Sequence, residues 1–132
     1  MTITYRNVLL SVKTYANLSV KFISTSSPRN SGGGDRYCAI IGSGPAGFYT
    51  AQGLFKHDKS HRTHVHIFEK LPVPFGLVRY GVAPDHPDVK NVIHKFTKTA
   101  ANPNFRFFGN VSMGTDLTIE KLRKAYDAVI LV

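Results

Sequence analysis

An α/β fold, a parallel sheet with helices on both faces, follows from three features of the 132-residue sequence. The first is the apolar run Cys38-Ala39-Ile40-Ile41, which ends in a glycine loop that opens directly into a helix-forming segment. The second is the apolar run His64-Val65-His66-Ile67-Phe68, which completes a strand–helix–strand unit of about 30 residues. The third is the unbroken run Ala128-Val129-Ile130-Leu131-Val132, the pattern of a parallel strand buried on both faces.

In chain order, residues 1–34 hold no Asp or Glu and are rich in Ser and Thr. Leu9, Val12 and Ala16 recur at helical spacing, while Arg6 and Lys13 share another face. A basic, hydroxylated, acid-free amphipathic N-terminus reads as a mitochondrial transit peptide, the alternative being a disordered basic tail. Lys13 and Lys21 interrupt the apolar residues, so no stretch reaches the roughly 20 residues of a membrane span. Ser24 to Gly34, with Ser26-Ser27-Pro28 and Gly32-Gly33-Gly34, reads as a flexible linker. Residues 1–36 are thus assigned to leader and linker, and residues 37–132 to the fold.

Residues 37–41 are the first strand, and 45–56 a helix with Gly47, Ala51, Leu54 and Phe55 on its inner side. Between them, Gly42-Ser43-Gly44-Pro45-Ala46-Gly47 carries the G-x-G-x-x-G spacing of dinucleotide loops. Gly42 suits a tight turn, Gly44 a close approach of backbone to pyrophosphate, and Gly47 close packing of helix on strand. Pro45 fits a first helical turn, where its missing N–H costs no intrahelical bond. The next strand, 64–68, ends at Glu69, which lies 22 positions beyond Gly47, where an acidic side chain meets a ribose hydroxyl. An isolated glycine loop is also an ordinary tight turn. Strand before, helix after and Glu69 at the second strand's end favour a Rossmann-like dinucleotide site. The Glu69 carboxylate repels a 2′-phosphate, so this site is expected to take FAD or NAD and not NADP. No second glycine fingerprint occurs in the sequence.

The stretch Leu71 to Pro87 is too rich in Pro and Gly for a helix or inner strand, yet too apolar for a solvated loop. It is expected either to cover a planar cofactor or to pack on itself. Asp85 or His86 then caps a helix that has Pro87 in its first turn and Val89, Val92, Ile93, Phe96 and Ala100 on its apolar face. That helix stops before Asn102-Pro103. Phe105 to Met113 reads as extended, with a break at Gly109-Asn110. Thr118 caps a short helix that directs Leu122, Ala125 and Tyr126 inward. A buried strand with nothing after it is an unusual end for a domain, and a fragment of a longer protein is expected.

The formal charge is +9, with five basic residues and one acidic in 1–36, and twelve basic and seven acidic in 37–132. About half the excess therefore sits on the leader, and no Lys/Arg run or arginine–aromatic interleaving marks a nucleic-acid binder. Cys38, the one cysteine, falls in the first strand, which excludes an internal disulfide or a CxxC redox site. His57, His61, His64 and His66 fall within ten residues, but no firm ligand spacing repeats. They read as surface histidines around a connector, and no metal site is expected.

From Ile40 to Val132 the sequence resembles the N-terminal part of the mitochondrial adrenodoxin reductase (ferredoxin–NADP reductase) family. The matching stretches are Gly42 through Gln52 and Pro72 through Val92. The first is shared by many FAD enzymes. The second, with Pro-Val-Pro-Phe-Gly-Leu-Val-Arg-Tyr-Gly-Val-Ala-Pro-Asp-His-Pro, is specific to this branch. The resemblance implies an incomplete FAD-binding domain of an oxidoreductase that passes electrons from NADP(H) through FAD to a [2Fe–2S] ferredoxin. That ferredoxin serves mitochondrial cytochromes P450, steroid synthesis and Fe–S assembly. It implies FAD contacts from Gly42, Ser43, Gly44, Pro45, Ala46, Gly47, Glu69 and Leu77, and from the backbone near Met113, where family members often carry valine. His86 matches a family histidine near the flavin, a candidate for electron or proton relay and equally for a helix-capping surface residue. The family's NADP-binding domain has no counterpart in these residues. The chain is therefore expected to bind FAD without oxidising NADPH by itself, the alternative being a truncated, non-catalytic product or binding module. A mitochondrial location, with possible peripheral association at the inner membrane, completes the expectation.

Overall fold

The structure, a computed structural model, describes residues 21–24, 34–76, 78 and 87–132. The expectations for Leu77, Asp85 and His86, and for most of the leader and linker, fall outside these residues.

Five strands form one sheet: β1 (Lys21–Ser24), β2 (Arg36–Ile41), β3 (Thr63–Phe68), β4 (Phe105–Phe108) and β5 (Ala128–Leu131), in the order β1-β5-β2-β3-β4. The helices are α1 (Pro45–His57), α2 (Pro87–Ala100) and α3 (Ile119–Ala125). Strands β5, β2, β3 and β4 are parallel, as the apolar runs predict. β1 was not foreseen: it pairs antiparallel with β5, Lys21 opposite Leu131 and Ser24 opposite Ala128, within the segment read as leader and linker. Its pairing satisfies the outer edge of β5, whose N–H and C=O groups would otherwise be open.

The register decides which residues share a face. Cys38 pairs with Val65 and Ala128, and Ile40 with Ile67 and Ile130, so these six point together toward α1 and α2. There they meet Phe48, Ala51 and Leu54 of α1 and Phe96 of α2. Phe48 is the fully buried pivot of this layer, stacking on Phe96 at 4.9 Å and on Phe105 at 5.7 Å between ring centroids. Sequence periodicity had placed Phe55 on the inner side of α1; it is half-buried, and Phe48 holds the central position instead. On the opposite face, Ala39, Phe68 and Val129 pack under Leu122 of α3. Thr118 caps α3, its hydroxyl accepting from the Lys121 N–H. Ala125, expected inward, is exposed, because the helix ends there and Tyr126 turns back toward the sheet.

Helix α3 covers little of that second face. The histidines of β3 complete it: Nδ1 of His66 lies 2.7 Å from the Tyr126 hydroxyl, and His64 stacks on Tyr37 and lies 3.5 Å from Asp35. Burial, with Arg106 and His64 nearby, lowers the His66 pKa, which favours the neutral imidazole as acceptor for Tyr126.

The α1–β3 turn is built on Asp58. Its carboxylate accepts from the Ser60 N–H and hydroxyl and from the Thr63 N–H. Burial alone would raise its pKa, but these hydrogen bonds hold it down to about 2. A carboxyl depressed in the folded state stabilises above its unfolded pKa, and that stability is lost as pH falls through the folded value. Asp58→Ala is expected to cost about 1–3 kcal/mol at neutral pH. Denaturant titrations should show the wild-type advantage shrinking between about pH 4 and pH 2.

Candidate functional site: a dinucleotide cleft

The parallel strands end at one edge of the sheet, and there the candidate residues converge. Beyond Ile41 lies Gly42, beyond Phe68 lies Glu69, and beyond Leu131 lies Val132. An open cleft of about 330 Å³ sits among them, closed on the far side by Val111, Ser112 and Met113. A crevice outside the carboxyl ends of parallel strands is where open α/β sheets bind their ligands.

The glycine loop has the geometry its spacing predicts. Gly42 adopts φ +111°, a region that side chains rarely enter, and its N–H donates to the Phe68 carbonyl at 2.9 Å. A Cβ on Gly47 would stand 2.2 Å from the Gly42 carbonyl oxygen, so no larger residue fits where α1 crosses the loop. At Gly44 the opposite holds. A Cβ there would meet nothing within 4 Å, leaving open space in front of the helix. Gly44 is the N-cap of α1 and gives no side-chain cap, Pro45 follows it, and no acidic residue lies in the first turn. The first-turn amides thus lack intrahelical acceptors and face open space with a favourable dipole, which fits a phosphate group. Ala46 is buried beneath this turn.

Glu69 follows β3 directly and reaches back to the loop. Its Oε2 accepts from the Ser43 N–H at 2.9 Å and from the Ser43 hydroxyl at 2.7 Å; its Oε1 accepts from the Leu71 N–H at 3.2 Å. Burial by itself would raise the Glu69 pKa, but these bonds, those from Ser43 foremost, lower it. Glu69 is therefore a carboxylate at neutral pH, held in the cleft beside the helix N-terminus. Its backbone is fixed as well: the Glu69 N–H donates to Phe108 and its carbonyl accepts from Val111, both at 2.9 Å.

The structure thus brings together Gly42, Ser43, Gly44, Glu69 and Met113 of the predicted set, with Pro45, Ala46 and Gly47 behind them. Met113 is half-buried and lines the cleft, its backbone bridged to Leu117. Three features were missed from sequence. Ser43 is fully buried, and both of its donors face Glu69. Phe75 anchors the Pro/Gly-rich stretch: its N–H donates to the Ser43 carbonyl at 3.1 Å, and its ring packs on Phe48 at 4.9 Å. Phe75 of that stretch therefore packs on the protein itself, and most of the stretch beyond Gly76 lies outside the described residues. Val111, Ser112 and Val132 line the cleft, and only the rule that ligands sit at strand ends pointed toward them. Among the described residues no group of three or more His, Cys, Asp or Glu could hold a metal ion, and no helix is long and apolar enough to cross a membrane.

Comparison with known proteins agrees with this site. The sequence profile of the NAD(P)-binding Rossmann-like domain matches residues 40–110. The chain is 62% identical over 92 residues to the mitochondrial NADPH:adrenodoxin oxidoreductase of Homo sapiens, covering 70% of this chain and 18% of that protein. It is 59% identical over 96 residues to the enzyme of the same name from Drosophila melanogaster, covering 73% of this chain and 20% of that one. Among solved structures it is similar to FprA, an oxidoreductase of Mycobacterium tuberculosis (TM-score 0.67, 47% identity, 74% of this chain and 22% of that one), and to FprA in complex with NADPH (TM-score 0.65). The chain spans about a fifth of the length of the curated relatives it matches. By fold, by the profile match and by the glycine loop that Glu69 closes, the chain belongs to the NAD(P)-binding Rossmann-like domain family.

Proposed function

We propose that the chain is the FAD-binding part of a mitochondrial NADPH:ferredoxin (adrenodoxin) reductase. The observation that carries this reading is the ionised Glu69, which lines the cleft and accepts from Ser43 in the loop that leads into the uncrowded helix N-terminus at Gly44. Gly44, Pro45, Ala46 and Gly47 offer the pyrophosphate an uncrowded backbone and a favourable dipole, on the turn that Gly42 makes. Glu69 accepts from ribose hydroxyls, with the Met113 backbone beside it. Leu77 and His86 lie outside the described residues, and their roles, a flavin contact and a relay or cap, rest on the resemblance. A flavin held by these residues would supply the redox chemistry that links two-electron NADPH to a one-electron [2Fe–2S] ferredoxin. The protein groups named here bind and orient it.

The partners follow the same reading: NADP(H) as substrate at a site on another part of the enzyme, and an adrenodoxin-like ferredoxin that serves P450s, steroid synthesis and Fe–S assembly. The location is mitochondrial, in the matrix or peripherally at the inner membrane. A second reading is a binding module that does not turn over NADPH alone.

Mixing the full chain with FAD, desalting it and recording the absorbance spectrum tests the proposal. Retained flavin absorbance is expected. A folded chain that elutes colourless contradicts it. Reducing the yellow protein anaerobically with dithionite and then adding an oxidised [2Fe–2S] ferredoxin separates the two readings: electron transfer to the ferredoxin marks the flavin part of a reductase, and its absence marks the binding module.

A further inference from the structure

Ser43 stands in an unusual position for a loop residue. It is fully buried, and its three hydrogen-bonding groups are committed to two partners. The N–H and hydroxyl converge on one oxygen of Glu69, while the carbonyl accepts from Phe75. Nothing about a phosphate loop requires a hydroxyl here; the spacing of three glycines needs none. A carboxylate offers about four acceptor positions, and Ser43 fills two, both on Oε2. The Leu71 N–H takes one on Oε1, at a longer 3.2 Å. The carboxylate is thereby fixed by its inner oxygen and held more loosely by the other.

We propose that Ser43 is a positioning residue for the nucleotide: its hydroxyl and N–H clamp Glu69 by Oε2, so that Oε1 is presented to the ribose. This inference rests on the nucleotide-binding reading of the cleft. The clamp links the two halves of the site, the glycine loop after β2 and the acid after β3, before any ligand arrives. Preorganisation of this kind raises affinity by removing an ordering cost from the binding step. It also sets the acid limit of binding, since protonated Glu69 loses its charge and part of its acceptor capacity. The groups facing Glu69 support this. Ser43 meets it from the loop and the Lys70 and Leu71 amides from the following turn; Val111, Ser112 and Met113 on the far wall carry no charge. Lys70 is the one other ionisable side chain among the described lining residues. The lowered Glu69 pKa, with the Ser43 hydroxyl the largest of the stabilising causes, is consistent with the geometry.

The test uses the full chain as wild type, Ser43→Ala, Ser43→Thr and Glu69→Gln. Carboxyl NMR titration of Glu69 in the ligand-free protein reads the clamp without any nucleotide. Ser43→Ala should move the Glu69 midpoint upward, and Ser43→Thr, which keeps the hydroxyl, should move it less. FAD titration by flavin fluorescence over pH 4–9 then reads the consequence. Ser43→Ala should weaken binding roughly 5–10-fold near neutrality, because the ribose contact to Glu69 stays available and only its preorganisation is lost. It should also raise the pH at which binding fails, while Glu69→Gln removes that acid limb. An unchanged Glu69 midpoint in a folded Ser43→Ala chain overturns the inference, whatever FAD does. A shifted midpoint in a chain that binds no FAD upholds the clamp and instead defeats the nucleotide reading. If Ser43→Ala does not fold, a Ser43→Thr chain whose Glu69 midpoint equals that of isolated glutamate overturns it equally.

Discussion

Gly47→Ala is expected to lower the melting temperature by on the order of 10 °C and to abolish FAD binding, whereas Gly44→Ala should leave the melting temperature unchanged and still weaken FAD at least about tenfold. The two glycines sit three residues apart in one loop, but they face different constraints. At position 47 the added methyl would overlap a backbone oxygen at 2.2 Å, and neither α1 nor the Gly42 turn can retreat without opening the core above Phe48. Overpacking against backbone costs about 3 kcal/mol. Alanine's better helix propensity returns only about 1 kcal/mol, so the clash wins. At position 44 the methyl enters open space, and φ −71° with ψ −174° suits alanine. That space is where a pyrophosphate would approach. Thermal melts and FAD titrations on both variants read the contrast. A Gly44→Ala chain with unimpaired affinity would remove the main support for a phosphate in front of α1.

Glu69→Ala combines a binding loss with a stability loss. Ser43, buried, would keep a hydroxyl and an N–H with no acceptor, at about 1–3 kcal/mol for the unsatisfied donors. The ribose would lose its charged acceptor, worth about 1.5–3 kcal/mol, or roughly 10–100-fold in FAD affinity. The pH dependence gives a sharper signature. The Glu69 pKa is depressed by folding, so its contribution is complete above the unfolded value near 4.5 and is lost as pH falls through the folded one. Wild-type stability should therefore decline on acidification below about pH 4.5, and part of that decline should vanish in Glu69→Gln. Removing the charge also removes the repulsion of a 2′-phosphate, so Glu69→Gln should narrow the preference for NAD+ over NADP+ in competition with FAD. Equal discrimination in both chains would show that Glu69 does not meet the ribose.

The parts of the fold legible in the sequence were those with strong local signals. Continuous apolar runs located β2, β3 and β5 to within a residue, because parallel strands buried on both faces admit little else. Pro87 and the Val92–Phe96 spacing located α2. β1 was hidden because four residues in an acid-free, Ser-rich segment carry no periodicity, and its pairing depends on the β5 edge over 100 positions away. Phe48 and Ala125 were misjudged because periodicity finds the axis of a helix face, not how far the helix extends or which neighbour fills the gap. In the site, the glycine spacing and Glu69 were legible because each is dictated by local backbone or charge. The Ser43–Glu69 clasp was not, since a serine between glycines looks like loop filler until the fold brings the two 26 positions together.

Titrating the full chain with FAD in the presence and absence of NADPH tests the central claim most directly. If the cleft at Gly44 and Glu69 is the flavin site, FAD binds saturably, and a large excess of NADPH leaves its dissociation constant unchanged. If NADPH displaces FAD, or binds in its place while FAD does not bind at all, the cleft is a nicotinamide-nucleotide site and the flavin assignment is wrong.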